Sequence, residues 1–282
     1  METLLFIQSF KTPVLDRLFQ YITMLGEENF FILVACLFIW CGDKIAGRRV
    51  GWIFLSGSIV NGVLKDVFRI SRPIGNEKII SLRTETAGGY SFPSGHTQGT
   101  TMFWAGLMKV LRKPVLYITG SIIILLVALS RMYLGVHWPQ DVIGGIIFGI
   151  VWVFIADYIW CRFNVTGSIY KIGIVSAVMI LCSVLFNGEF IVKSAGASIG
   201  FLTGIFLEDR YVNHISSGKI HHSAIKMIFG LAVLFAIMAG IKFILPDMIL
   251  FKGIRYAMIG FWITFGAPYV FKQASKLWIF KS

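Results

Sequence analysis

Apolar residues follow one another in long blocks along nearly the whole chain, and polar residues fall mainly in the short gaps between them. A helix needs about twenty mostly apolar residues to cross a bilayer, fewer where it tilts or the bilayer is thin. Such runs occupy residues 28–42, 50–68, 97–111, 114–130, 142–160, 172–186, 190–207, 224–245 and 256–271. The pattern predicts an all-α, polytopic transmembrane bundle of about nine spans. Residues 4–25 have a different rhythm. Leu4, Leu5, Ile7, Phe10, Val14, Leu18, Phe19 and Ile22 are set against Gln8, Lys11, Asp16 and Arg17. That is an amphipathic helix lying in the interface, broken near Pro13.

Composition excludes the other classes. Of 282 residues, 56% are hydrophobic and 14% charged, where a soluble domain carries about 25% charged residues. Mean hydropathy is +0.77. A soluble globule of this kind would expose too much apolar surface, and a disordered chain is poor in the aromatics that make up 15% here. The four cysteines, Cys36, Cys41, Cys161 and Cys182, lie in or beside apolar runs without metal-site spacing, and no disulfide framework is expected. Lys11, Asp16 and Arg17 interrupt the first apolar stretch, so no cleaved signal is expected there.

Lys and Arg outnumber Asp and Glu 26 to 14, a net charge of +12. The bases form no stripe or recognition module, so nucleic acid is not an expected partner. They recur instead in alternate loops: Lys44, Arg48 and Arg49; Lys109, Arg112 and Lys113; Arg162 and Lys171; Arg210 and Lys219; and the tail with Lys272, Lys276 and Lys281. The bias toward basic cytoplasmic loops places these in the cytoplasm and puts residues 69–96 and 131–141 outside. A multi-pass protein of the cytoplasmic membrane is expected, with those two segments facing the extracytoplasmic side.

Charge appears near the bilayer in three segments. In the first, Lys65 and Arg72 stand seven residues apart, about two turns along one helix face, before Pro73 stops or bends the chain. They either converge on an oxyanion or snorkel to the headgroups. The second contains Pro93, Ser94, Gly95 and His96 at a helix start. A hydroxyl, an accessible amide and a titratable ring suit a bound anion, and a simple N-cap is the alternative. In the third, Arg131 ends a span, and His137 precedes Asp141 by four residues. If a helical turn begins near Trp138, the carboxylate takes one imidazole N–H and leaves the other nitrogen for substrate, as a histidine nucleophile requires. The alternative makes Asp141 an N-cap and His137 a loop residue. His214, His221 and His222 read as solvated loop residues, and Asp66 as structural.

Lys65-x6-Arg72-Pro73, Pro93-Ser94-Gly95-His96 and Ser130-Arg131-x5-His137-x3-Asp141 together resemble the three-part signature of the type 2 phosphatidic acid phosphatase and haloperoxidase superfamily. Every signature position is filled. The resemblance covers about residues 10–160. The apolar pattern gives an interfacial N-terminal segment over 1–27 and additional C-terminal spans over 188–282; the core over 28–187 is the six-helix membrane phosphatase bundle implied by the resemblance. It further implies that Lys65, Arg72, Arg131, Ser94 and Gly95 hold a phosphate. His137 would then form a phosphohistidine oriented by Asp141, and His96 would protonate the leaving alcohol and activate water. No metal or cofactor is implied.

The expected function is removal of the terminal phosphate or pyrophosphate from a lipid phosphate, with membrane lipids as surroundings. Phosphatidic acid, phosphatidylglycerol phosphate, polyprenyl diphosphate, lipid A and sphingoid phosphates all fit. Two rivals stand beside it: a phosphatase or phosphotransferase for a soluble phosphate such as a sugar phosphate, and a non-enzymatic transporter or scramblase. His96, His137 and Asp141 together favour the enzyme, because transport needs cations but no poised nucleophile. The C-terminal spans could close a lipid entrance, support transport or form the face of a homo-oligomer.

Overall fold

In the computed structural model the described residues are 1–186, 188–214, 220–244 and 246–276, without the side chains of 241–244 and 276. Asn187, Lys219 and Lys281, named above at a boundary or as basic loop and tail residues, lie outside them, as does the side chain of Lys276. The described residues are helical, with no strand among them. The helices are α1 (Glu2–Gln8), α2 (Pro13–Met24), α3 (Glu28–Cys41), α4 (Lys44–Phe68), α5 (Gly95–Leu111), α6 (Pro114–Tyr133), α7 (Pro139–Phe163), α8 (Ile169–Phe186), α9 (Glu189–Leu207), α10 (Ile220–Ile244), α11 (Ile249–Phe261) and α12 (Ala267–Lys276). A 3-10 turn at Thr84–Thr86 and π-helical stretches at Glu208–Val212 and Trp262–Gly266 complete the set.

As far as they are described, eight of the nine expected apolar runs fall on single helices, α3 to α10, and the ninth, 256–271, runs over α11, a π-helical stretch and α12, but the expected count of nine spans is not reproduced. Among the described residues six helices are long and apolar enough to cross a membrane, or seven if α2 and α3, bent by 46°, form one broken span. Length is the reason. Helix α5 has 17 residues, α3 has 14 and α11 has 13. At 1.5 Å per residue even α5 reaches only about 25 Å, against a hydrocarbon core of about 30 Å.

The chain divides into two compact units, Met1–Ile32 with Val60–Ile155, and Leu33–Ile59 with Ala156–Ser282. In the first unit, Gly145 brings α7 against the start of α5: a Cβ there would lie 3.0 Å from the Ser94 carbonyl oxygen and 3.1 Å from the Thr97 side chain. The break near Pro13 is present, with Pro13 opening α2 and Thr12 accepting from the Leu15 amide at 3.3 Å. The inner face of this N-terminal arm grips the loops around residues 80 and 134. Gln8 donates to the carbonyls of Ile80 (2.9 Å) and Tyr133 (3.0 Å) and accepts from the Ile80 amide (3.1 Å). Tyr133 donates to Asp16 at 2.9 Å and stacks on Phe19. The turn at Gly135 needs glycine twice over. Its φ is +66°, and a Cβ would stand 2.6 Å from the Ile80 carbonyl oxygen.

In the second unit α9 and α11 approach almost backbone to backbone. A Cβ on Gly200 would fall 1.8 Å from the Ala257 carbonyl oxygen, and one on Gly196 2.1 Å from that of Gly253. Small residues permit such crossings, where dispersion replaces the hydrophobic drive that lipid removes. Arg48 and Arg49 do not lie in a solvated loop as expected. Helix α4 begins at Lys44, so both sit on it, paired with carboxylates: Arg48 with Glu208 and, at 2.7 Å, Asp209, and Arg49 with Asp157. Nor is His214 a solvated loop residue. It is buried, while His221 and His222 belong to the first turn of α10.

Gly200→Val should separate α9 from α11. We expect a lowered thermal midpoint in detergent, whereas Gly173→Ala, where a Cβ meets open space, should leave it unchanged within error.

Candidate active site

All eight candidate site residues of the signature belong to the first unit, and the backbone explains how each is presented. Helix α4 ends at Phe68, and Arg69 takes a left-handed conformation (φ +50°). Arg72 is therefore not a helical neighbour of Lys65, as the spacing predicts, but comes from the loop beyond. The two meet all the same on one carbonyl. Lys65 donates to Tyr90 and, at 3.3 Å, to Ser91. Arg72 donates to Tyr90 (3.2 Å), Gly88 (2.8 Å), Gly89 (3.0 Å) and Val136 (3.0 Å). Six contacts to five carbonyl oxygens thus hold two cations without neutralising either.

His137 and Asp141 have the arrangement expected of a helical turn. Nδ1 of His137 lies 3.2 Å from Asp141 Oδ2, while its Nε2 faces Arg72 Nη1 at 3.0 Å. A guanidinium can only donate, so Nε2 is the ring acceptor and Nδ1 carries the proton toward the carboxylate. Asp141 Oδ2 also accepts from the Trp138 amide at 2.7 Å and from the Ser91 hydroxyl. Asp141 is the third residue of α7 and not its N-cap as the alternative had it, but its return contact to the Trp138 amide is half of a capping box, so one carboxylate serves both the helix start and His137. Burial, reinforced by Arg72, Arg131, Lys65 and His96, holds the His137 pKa well below its ordinary 6.5. Burial also lowers Arg72 to about 10, opposed by Asp141, which leaves it cationic at neutral pH.

Ser94 is fully buried and caps α5, accepting from Thr97 Oγ1 at 3.1 Å, so its side chain already serves the helix. Gly95 and His96 follow at the first turn, where helix amides lack intrahelical acceptors. His96 Nε2 is buried and has no hydrogen-bond partner. Arg131 is completely buried. Its guanidinium touches only hydroxyls, Thr23 at 2.8 Å and Thr86 at 3.4 and 3.5 Å, and its Nε is unpartnered. No described carboxylate lies within ion-pair distance of Lys65, Arg72 or Arg131. Three such cations around one imidazole make a site for an anion of more than one charge. Among the described residues no three His, Cys, Asp or Glu side chains gather in a way that could hold a metal ion.

Several residues at the site carry no signal in the signature. Ser91 bridges toward both His137 Nδ1 (3.3 Å) and Asp141. Asn61, one turn before Lys65 on α4, donates to Gln98 at 2.8 Å and to the Pro93 carbonyl at 3.3 Å. Their sequence signal is weak: an Asn and a Gln inside otherwise apolar spans. Arg83 pairs with Glu27 at 2.6 Å, and the pair anchors the loop before α5.

A model of the PAP2 superfamily matches residues 46–165, and a model of the PAP2 superfamily phosphatase transmembrane extension matches residues 192–277. An undecaprenyl-diphosphatase of Sulfolobus acidocaldarius is 31% identical over 56% of this chain and 75% of its own. The chain belongs to the PAP2 superfamily. All eight candidate site residues fall within the first PAP2 match, and the spans beyond residue 187, which resemble nothing specific by motif, fall largely within the extension. A dihydrosphingosine 1-phosphate phosphatase of Schizosaccharomyces pombe is 29% identical over 65% of this chain and 48% of its own. The chain thus spans about half the length of that PAP2 relative. A solved transmembrane PAP2-type phosphatidylglycerolphosphate phosphatase from Bacillus subtilis is 29% identical, covering 53% of this chain and 78% of that one, with a TM-score of 0.46.

The lowered His137 pKa gives a signed expectation. The neutral ring is favoured in the folded protein, so protonation of His137 should begin only well below pH 6.5. Between the folded-state pKa and 6.5 the unfolded chain binds the extra proton, so this group's stabilisation is complete above 6.5 and is lost as pH falls. We expect the acid limb of kcat/KM, corrected for ionisation of the substrate phosphate, to lie well below pH 6.5. A limb at 6.5 or above would contradict the burial argument.

Proposed function

We propose that this protein is a membrane lipid phosphate phosphatase that hydrolyses a terminal phosphate monoester or pyrophosphate through a phosphohistidine, without a metal. The observation that carries the reading is the His137 ring, its Nδ1 held toward Asp141 and its Nε2 aimed into the cations. Lys65, Arg72 and Arg131, with the Gly95 amide and the Ser94 hydroxyl, hold the phosphate oxygens. Nε2 attacks phosphorus, the bond to the leaving oxygen breaks, and His96 gives that oxygen a proton. His96 then removes a proton from water, whose oxygen displaces His137 and releases inorganic phosphate. Phosphoryl transfer demands positioning and charge stabilisation on the equatorial oxygens more than covalent help, and the cations supply both.

A lipid substrate is favoured by position, since the site lies at the ends of α4 and α6 and the starts of α5 and α7, within reach of headgroups if those helices span the bilayer. The matched relatives carry names ending in phosphatase or diphosphatase for sphingoid, prenyl and phosphatidylglycerol phosphates. If α3, α5 and the α11–α12 segment each cross as short or broken spans, nine crossings result. Arg112 and Lys113 then lie in the cytoplasm and the site faces the extracytoplasmic side of the cytoplasmic membrane.

Phosphate release from a lipid panel in detergent with EDTA present is the direct assay. His137→Ala should lower kcat by at least about a thousandfold while leaving expression and melting near normal. Retention of more than a tenth of wild-type activity would remove His137 from the nucleophile's role. Sidedness is tested separately, in intact cells carrying a cysteine-free background. An impermeant thiol reagent should label Glu85→Cys and spare Lys113→Cys, and the reverse would turn the protein over in the membrane.

A further inference from the structure

Arg131 is the most demanding group in the first unit: a completely buried guanidinium with no carboxylate within ion-pair distance among the described residues. Its one well-formed hydrogen bond, at 2.8 Å, goes to the hydroxyl of Thr23. The contacts to Thr86 are long, at 3.4 and 3.5 Å. Thr23 is itself fully buried, in the last turn of α2, within the segment that the sequence assigns only to the interface. Three contacts hold this turn in place. Arg83 donates to the Gln20 carbonyl at 3.2 Å, Tyr133 donates to Asp16, and the Gly26 amide donates to the Thr23 carbonyl at 2.9 Å. Gly26 then brings the elbow between α2 and α3 against the catalytic helices. A Cβ at Gly26 would lie 2.9 Å from Val127 Cγ1 on α6 and 3.2 Å from His96 Cβ on α5.

We propose that Thr23 is a positioning residue for the phosphate site, fixing the guanidinium of Arg131 so that it meets a bound phosphate in one orientation. The N-terminal arm is then part of the catalytic apparatus as well as an interfacial anchor. The chemistry requires an acceptor that is not an anion. A carboxylate at this position would neutralise Arg131 and compete with substrate, and an apolar group would leave a buried charged donor unpaired. A threonine hydroxyl satisfies the donor and leaves the positive charge for the phosphate. The inference rests on the reading of Arg131 as a phosphate ligand.

The experiment compares Thr23→Val, Thr23→Ser, Arg131→Ala and the double variant Thr23→Val/Arg131→Ala in full-length protein, measuring the inhibition constant of inorganic phosphate together with KM and kcat. Thr23→Val keeps the volume and removes the acceptor. It should weaken phosphate inhibition and raise KM by about tenfold, the size of one charge-assisted hydrogen bond, and lower kcat less. Thr23→Ser should return both constants to within about twofold of wild type. In the Arg131→Ala background, Thr23→Val should add nothing, because a positioning residue has no effect without the group it positions. Wild-type phosphate inhibition in Arg131→Ala would overturn the assignment of Arg131 itself. Loss in Arg131→Ala with none in Thr23→Val would overturn the role of Thr23 alone. Equal and additive losses, or losses unrelieved by serine, would mark Thr23 as structural packing and likewise overturn the proposal.

Discussion

The constraint on which the first unit depends is positive charge held without counter-charge. Lys65 and Arg72 hang on the carbonyl oxygens of residues 88–91 and 136, and Arg131 on hydroxyls. Burying a cation costs several kcal/mol unless its donors are satisfied. Carbonyl and hydroxyl oxygens satisfy donors yet leave the field intact. The loop over residues 69–94 and the N-terminal arm exist in their observed form largely because they deliver those oxygens.

The same economy explains Asp141. One carboxylate closes the first turn of α7 through the Trp138 amide, receives the Ser91 hydroxyl and orients His137. Local helix capping and catalysis are therefore not competing explanations at this residue. A change that damages one damages the other, and the side chain cannot drift far from the imidazole while α7 retains its first turn. Gly145, by admitting α7 against Ser94 and Thr97, sets how closely α7 approaches the start of α5.

Much of the site is legible in the sequence because its key relations are local. The four-residue step from His137 to Asp141 encodes a helical turn, and Ser94-Gly95-His96 encodes a helix start. The step from Lys65 to Arg72 misleads for the converse reason. It reads as two helical turns, but the left-handed Arg69 ends α4, and the convergence is restored by a distant carbonyl at Tyr90. The grip of Gln8 on Ile80 and Tyr133, and of Thr23 on Arg131, joins residues 72, 125 and 108 positions apart. No periodicity reports such pairings. The expected span count is not reproduced at α3, α5 and α11, because apolarity is plain in the sequence while these helices are short.

The contact between Arg72 and Nε2 of His137 has a consequence for the resting protein. The lone pair that would attack phosphorus is already engaged by a guanidinium, so an uncharged electrophile entering the site meets a masked ring. An oxyanion competes for the same Arg72 donor, and in taking it exposes the nitrogen. Under the proposed mechanism the substrate's own charge would be the key that unlocks His137, and selectivity for phosphate would precede any recognition of the lipid that carries it.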